Sequence, residues 1–351
     1  MLRQRLIERI AASGPLPFEA FMEACLYDPD DGFFGAGPLR SVKSGDFLTS
    51  PEVSPWFGRT IGRFAQDVLA RIGSGETVVV DVGAGSGSLL GPLIGALGST
   101  SAYHAIDASP AARAALGALI PPGHVHPRIE DVAGPFAGLV VANELLDNLP
   151  VALAVRHGGG WEERWVGFNG ADLELIAAPV RSDVAAWCDR YGGTVPAGGL
   201  VEVQLEAAQW IETVMSRLDR GCLLVIDYGG TAEELEPRRT QGTLRTYRAH
   251  HLGPDPLLEP GATDVTVDVN FTALQAVAVA AGATVLVQRQ DDFLAEHGLR
   301  DVISGLRLRE SELAAGDDAM ERLRVRAERV DAETLLHPRG LGDFRVLTAT
   351  R

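Results

Sequence analysis

The chain of 351 residues has only three cysteines, Cys25, Cys188 and Cys222, and they lie far apart. No C-x-x-C pair or Cys/His cluster of zinc-binding spacing occurs, so the sequence predicts no metal site and no disulfide framework. Scattered thiols of this kind predict a reducing, cytoplasmic compartment rather than a secreted one. Positive charge is scarce too: 31 Lys and Arg against 47 Asp and Glu leave a formal net charge of −16. Binding to nucleic acid or to an anionic membrane needs a positive face, and this composition argues against both. It admits a basic partner. Long apolar runs are missing as well. The longest, roughly 273–287, is interrupted by Gln275 and Gly282 and is too short and too polar to span a membrane. The first ten residues, MLRQRLIERI, alternate charged and apolar positions at helical spacing, which is not the pattern of a signal peptide. No internal repeat or low-complexity tract is found. With 46% hydrophobic and 22% charged residues, the composition is that of a soluble globular protein, one large domain or two small ones.

What the chain does have is glycine at telling positions. The stretch Val78–Leu90 reads V-V-V-D-V-G-A-G-S-G-S-L-L. Three valines run into Asp81, then Gly83, Gly85 and Gly87 alternate before an apolar, helix-like segment. That is a buried strand, a tight turn and a helix start. Glycine suits such a turn because it tolerates unusual φ angles and lets a ligand approach bare backbone, and the N–H groups opening the helix can bind polar ligand atoms. A dinucleotide fingerprint, G-x-G-x-x-G, would need a third glycine where Ser88 stands. The pattern here is D-x-G-x-G-x-G, which resembles motif I of class I S-adenosyl-L-methionine (SAM) methyltransferases. Asp81 is then expected to brace the loop or meet the amino group of the methionine moiety. A second acid is due at the end of the next strand to hold ribose hydroxyls. Asp107 supplies it, about 24 residues beyond Gly83.

The remaining pattern predicts an α/β protein with a seven-stranded, Rossmann-like methyltransferase sheet, parallel apart from its last strand. Residues 1–75 form an N-terminal helical cap and loop, and 76–150 the first half of the core. Residues 151–200 alternate like a β-hairpin around His157-Gly158-Gly159-Gly160. The second half of the core is expected at 201–290 with a long polar loop at 229–268, charged helices at 291–340 and the final strand at 341–351. The extra segments should roof the carboxyl edge of the sheet, where α/β proteins bind ligands.

Further landmarks run along the whole chain. They include G-D-F-L-T-S-P-E-V-S-P-W-F-G from Gly45, A-N-E-L-L-D-N-L-P from Ala142, V-I-D-Y-G from Val225, G-T-L-R-T-Y from Gly242, D-V-T-V-D-V-N-F from Asp264 and G-D-F from Gly342. Together with the glycine motif they resemble the MidA-like family of SAM-dependent methyltransferases, whose members include a mitochondrial arginine methyltransferase that assists assembly of respiratory complex I. Departures are small: members often carry Glu where Asp107 stands, Tyr-Tyr where Phe33-Phe34 stand and Phe-Phe where Leu145-Leu146 stand. The resemblance implies SAM as cofactor and a protein substrate with a basic acceptor, by analogy an arginine nitrogen. It places Asp46, Thr49, Ser50 and Glu52 in a signature that closes over the cofactor, with Gly83, Gly85, Gly87, Asp107 and Asn143 around it.

A guanidinium, with a pKa above about 12, is a poor nucleophile. A carboxylate pair can hold it by bidentate hydrogen bonds and draw its charge away from the attacking nitrogen. Glu144 and Asp147, just past the fourth strand, are assigned that role; the plain alternative is a helix cap and turn. Glu130 or Asp131 is a candidate for the adenine amino group, but both read first as surface acids; the tryptophans read as packing residues, and Tyr228, His250 and His251 as weaker candidates for the acceptor pocket. Rival functions are a small-molecule O- or N-methyltransferase and a SAM-binding assembly factor without chemistry. A nicotinamide dehydrogenase fits the glycine spacing worst. Oligomeric state is not legible.

Overall fold

The computed structural model describes residues 1–39, 49–73, 75–98, 101–248, 251–316 and 318–351. Its centre is a sheet of seven strands: β1 (Val78–Val82), β2 (Ala102–Ile106), β3 (Val125–His126), β4 (Phe136–Asn143), β5 (Leu218–Asp227), β6 (Thr284–Arg289) and β7 (Arg345–Thr350). They lie in the order β6-β7-β5-β4-β1-β2-β3. The β1, β2, β3, β4 and β5 neighbours pair in parallel, whereas β7 runs antiparallel to both β5 and β6. The inner strands are continuous apolar runs because both of their faces are covered. Val79, Val80, Leu139, Val140, Val141 and Leu223–Ile226 are wholly buried. On one face the helices Pro55–Ile72 and Leu90–Leu97 contribute Phe57, Ile61, Leu90 and Leu93. On the other, Leu205–Arg217 and Phe271–Ala280 contribute Ile211, Met215, Phe271 and Leu274. Since each fully buried side chain of this size adds roughly 1.5–3 kcal/mol, the sheet is a rigid platform. The chain leaves β1 toward β2 on one side and β4 lies on the other, so a crevice opens above the carboxyl ends of β1 and β4.

A second, antiparallel sheet is built from Leu16–Pro17, Ala152–His157, Gly160–Phe168, Leu173–Pro179 and Leu200–Val203. Gly158 and Gly159 both take positive φ between the paired ends His157 and Gly160, the two-residue turn that matches strand twist. The helices Leu2–Ser13 and Phe18–Tyr27 share a core with this sheet through Leu6, Phe21, Met22, Leu153 and Val166.

The structure corrects the sequence reading in two places. The insertion does not stop at 200, because Leu200–Val203 pairs with Ala152–Val155, and it also holds the helix Ser182–Tyr191. Residues 229–268 are not simply a long loop. Within them Arg245–Arg248 pairs with His251–Leu252 and Asp264–Thr266, and Gly229–Gly230 pairs with Val269–Asn270. The segment 291–340 folds as the end of Gln290–Glu296 followed by a helical pair, Leu299–Leu313 and Ala319–Thr334. Among the described residues no helix is long and apolar enough to cross a membrane.

Candidate active site

The crevice holds a cleft of about 480 Å³. Its floor is the turn after β1. Gly83 and Gly85 take φ of 72° and 54°, conformations costly for a residue with a Cβ, and a Cβ on Gly83 would stand 3.0 Å from Leu145 Cδ1. The turn is tied to the neighbouring strand, since Gly83 N–H and Ala84 N–H donate to Ile106 O at 2.9 and 3.1 Å. Gly87, also at positive φ, sits behind the floor against Leu119 and does not line the cleft.

Two acids flank this turn. Asp81, at 2% exposure, lines the cleft, and its Oδ2 is buried without a hydrogen-bond partner among the described residues. Burial, and after it the neighbouring Asp107 carboxylate, raise its pKa to about 8. Asp107 stands just beyond β2. Its Oδ2 accepts from Gly85 N–H and its Oδ1 from Ser109 N–H, both at 2.8 Å. Burial raises its pKa, while those two N–H donors and Arg113 act the other way. Both oxygens keep a lone pair each for the cleft.

The far wall comes from the end of β4. Asn143 is 9% exposed; its Nδ2 donates to Glu144 Oε1 at 3.2 Å, and its Oδ1 is buried without a partner among the described residues. Glu144 has φ of 51°, the one positive-φ residue other than glycine among the described residues. Its N–H donates to Ile226 O at 2.8 Å. Its side chain turns into the cleft, where Oε1 also accepts from Ser50 N–H at 3.2 Å. Burial is the main cause of a Glu144 pKa raised to about 8; Asp147 and Glu52 push the same way.

Asp147 is placed differently. Its Oδ2 accepts from Tyr228 Oη at 2.5 Å and Thr266 Oγ1 at 2.6 Å, and the residue does not line the cleft. Of the two acids assigned to the acceptor by sequence, Glu144 faces the cleft and Asp147 faces a buried network behind it. Tyr228 belongs to that network. His251 is exposed and off the cleft; His250 and Asp46 lie outside the described residues.

Thr49 and Pro51 close one rim. Thr49 N–H donates to Glu52 Oε2 at 3.2 Å as half of a capping box, and Ser50 reaches Glu144 through its backbone. The C-terminal segments brace this rim: Gln290 Nε2 donates to Ser50 Oγ at 3.3 Å and to Leu341 O at 2.9 Å. Sequence reasoning missed the opposite rim. Glu23 and Tyr27 stand one turn apart on one helix, Glu206 and Trp210 one turn apart on another, and all four line the cleft. Tyr27 Oη donates to Asn148 O at 3.2 Å. Burial, then the like charges of Glu23 and Glu19, raise the pKa of Glu206. The i, i+4 acid–aromatic spacing was visible in sequence, but which helix face meets the cleft is a tertiary fact. Trp210 is thus more than packing, and Glu130 reaches the cleft while Asp131 does not.

The cleft suits a nucleoside that carries positive charge. A glycine turn admits close approach, Asp107 presents an oriented carboxylate, apolar Ile106, Ala108 and Ile129 offer a flat wall, and the unpaired acceptors of Asp81 and Asn143 call for donors. Fold and site together define a class I SAM-dependent methyltransferase. Residues 60–288 match Methyltransf_28, described as "Putative S-adenosyl-L-methionine-dependent methyltransferase", and the chain belongs to that family. A COG1565 superfamily member from Burkholderia thailandensis, crystallised with S-adenosyl-homocysteine, is 30% identical with a TM-score of 0.86 over 100% of this chain and 92% of its own. The mitochondrial protein arginine methyltransferase NDUFAF7 homolog of Drosophila melanogaster is 26% identical over 80% of this chain and 70% of its own. Human NDUFAF7 is 27% identical over 85% and 73%. The two NDUFAF7 relatives overturn the cytoplasmic expectation, for they are mitochondrial proteins. The cysteines misled because three buried, free thiols fit any compartment that keeps thiols reduced.

Proposed function

We propose that the protein methylates an arginine side-chain nitrogen of a protein substrate, with Glu144 receiving the guanidinium. The observation that carries this reading is a half-buried acid at the cleft wall without a cation. Glu144 lies at the cleft wall with its pKa raised to about 8 by burial. Its hydrogen-bond partners are the Ser50 and Asn143 N–H groups, and among the described residues it has no basic side chain in contact. A carboxyl partly shielded from water in this way gains from a cation that brings its own N–H donors. The acidic rim of Glu23 and Glu206 favours a basic substrate in the same sense, and the curated relatives are named protein arginine methyltransferases.

In this scheme SAM supplies an electrophilic methyl group on a sulfonium. Gly83, Gly85, Asp81, Asp107 and Asn143 hold it, with Thr49, Ser50 and Glu52 closing the rim and Gly87 shaping the turn from behind. Glu144 anchors the guanidinium and biases its charge away from the attacking nitrogen, while the roof of inserted segments keeps water out. Asp147 acts from behind the wall rather than on the substrate.

Titration of the protein, loaded with S-adenosylhomocysteine, with an arginine peptide and with its citrulline counterpart tests this reading. Expected are binding of the arginine peptide alone and a loss of at least about tenfold in Glu144→Gln, with cofactor affinity unchanged. Equal binding of the citrulline peptide would remove the guanidinium from the scheme.

A further inference from the structure

Asp227 closes β5 and never reaches the cleft, yet it is wholly buried and makes an unusual set of bonds. Its Oδ2 accepts from three consecutive backbone N–H groups, Leu145 at 3.2 Å, Leu146 at 2.9 Å and Asp147 at 3.4 Å. Its Oδ1 accepts from Tyr228 N–H at 2.9 Å. No arginine or lysine pairs with it among the described residues. Burial, and after it the like charges of its neighbours Asp147 and Glu144, raise its pKa. A buried acid in such company costs stability, so its placement calls for a return.

The return lies on the adjacent strand. Ile226 pairs with Asn143, which sets Asp227 level with Glu144. There the chain leaves β4 through the left-handed φ of 51° at Glu144 and enters a short 3₁₀ turn, Leu146–Asn148. The first N–H groups of such a turn have no partner within it. The left-handed step at Glu144 aims them at one point beside β5, and it also sends the Glu144 side chain the other way, into the cleft. A glutamate in this conformation is strained by about 1–2 kcal/mol, so something outside the turn must hold it.

We propose that Asp227 is a positioning residue for the methyl transfer: by gathering the N–H groups of residues 145–147 it locks Glu144 in its left-handed conformation and so fixes the direction of its carboxyl. The part of this that concerns the acceptor rests on the role given to Glu144 above; the backbone lock does not. Asp147, whose own carboxyl is held by Tyr228 and Thr266, secures the far end of the same turn.

The test is Asp227→Asn, read by amide hydrogen exchange and by two affinities. The amides of Leu145, Leu146 and Asp147 are expected to lose protection by at least about tenfold, with the β1 and β4 amides unchanged. The arginine peptide should bind at least about tenfold more weakly, while S-adenosylhomocysteine affinity stays within about twofold. A residue that merely stabilised the fold would weaken both ligands alike. Unchanged protection at 145–147 overturns the proposal. If the unsubstituted protein binds no arginine peptide, the acceptor reading fails, and the exchange data still decide the lock.

A double-substitution cycle separates backbone strain from charge repulsion. In a Glu144→Gly background, where positive φ is free of strain, Asp227→Asn should cost at least about fivefold less in the folding equilibrium than in a Glu144→Gln background. Equal costs in the two backgrounds overturn the proposal. Should Asp227→Asn not fold alone, Glu144→Gly by itself must leave residues 145–147 protected, because Asp227 still holds them; lost protection there counts against the lock.

Discussion

Asp107 shows how far a single residue can be read. Its spacing from the glycine turn marked it as a cofactor acid, and the structure places it against Gly85 and Ser109. Both of its oxygens accept backbone N–H groups, so an amide there would set an NH₂ against one of those donors. Asp107→Asn should therefore weaken S-adenosylhomocysteine binding by at least about tenfold in calorimetry. Affinity equal to that of the unsubstituted protein would remove Asp107 from the cofactor site. Asp147 marks the limit of the same reasoning. Three residues from Glu144 in sequence, it reads as the second carboxylate of an acceptor pair. That inference assumes regular geometry, and the left-handed step at Glu144 turns the two side chains to opposite sides of the wall. No sequence signal announced that step, since glycine or asparagine would be the usual occupant of such a position.

At the level of elements, strands with a sustained apolar run were legible and the shortest ones were not. β6 could be bounded from its sequence because the run Thr284–Val287 follows Gly282 and closes on Gln288 and Arg289. Leu16–Pro17 and Leu200–Val203 are two and four residues long, and their partners lie more than a hundred and about fifty positions away. Only the folded chain defines them. The central strands carry a second feature that apolar periodicity does not explain. Gly138 in β4 lies opposite Val78 in β1 and Gly221 in β5. A Cβ on Gly138 would come within 1.8 Å of Val78 O, so the strands can pass this closely only without one. Gly138→Ala should lower stability by about 2–4 kcal/mol, seen as a drop in the denaturant midpoint. A change under about 0.5 kcal/mol would mean that the strands part more easily than their packing implies.

Across the whole molecule the seven-stranded sheet class and the cofactor class could be anticipated, because the glycine motif and the order of landmarks constrain them jointly. The charge distribution could not. A net charge of −16 does not reveal that several acids are buried together at one end of the sheet. Their titration makes a prediction with a definite sign. Asp81 and Glu144 have folded-state pKa values of about 8 against ordinary values near 4, so the folded protein holds more protons than the unfolded chain from about pH 4 to 8. Stability then falls as pH rises through that window. His104 has the opposite sign. Burial, then His124 and His126, lower its pKa to about 4, so its contribution rises with pH only up to about 6.5. Between pH 6.5 and 8 the acids act alone, and the ligand-free protein should lose about 2–5 °C in melting temperature. A melting temperature that is flat or rising over that interval would contradict uncharged Asp81 and Glu144 carboxyls in the folded protein.

The most direct measurement is transfer itself. The protein is incubated with SAM labelled at the methyl carbon and with an extract of the cells that make it, and the labelled proteins are hydrolysed to amino acids. The account predicts label in methylarginine, strongly reduced with Glu144→Gln and with Asp107→Asn. Label confined to lysine, to a carboxyl or hydroxyl oxygen, or to small molecules would contradict it.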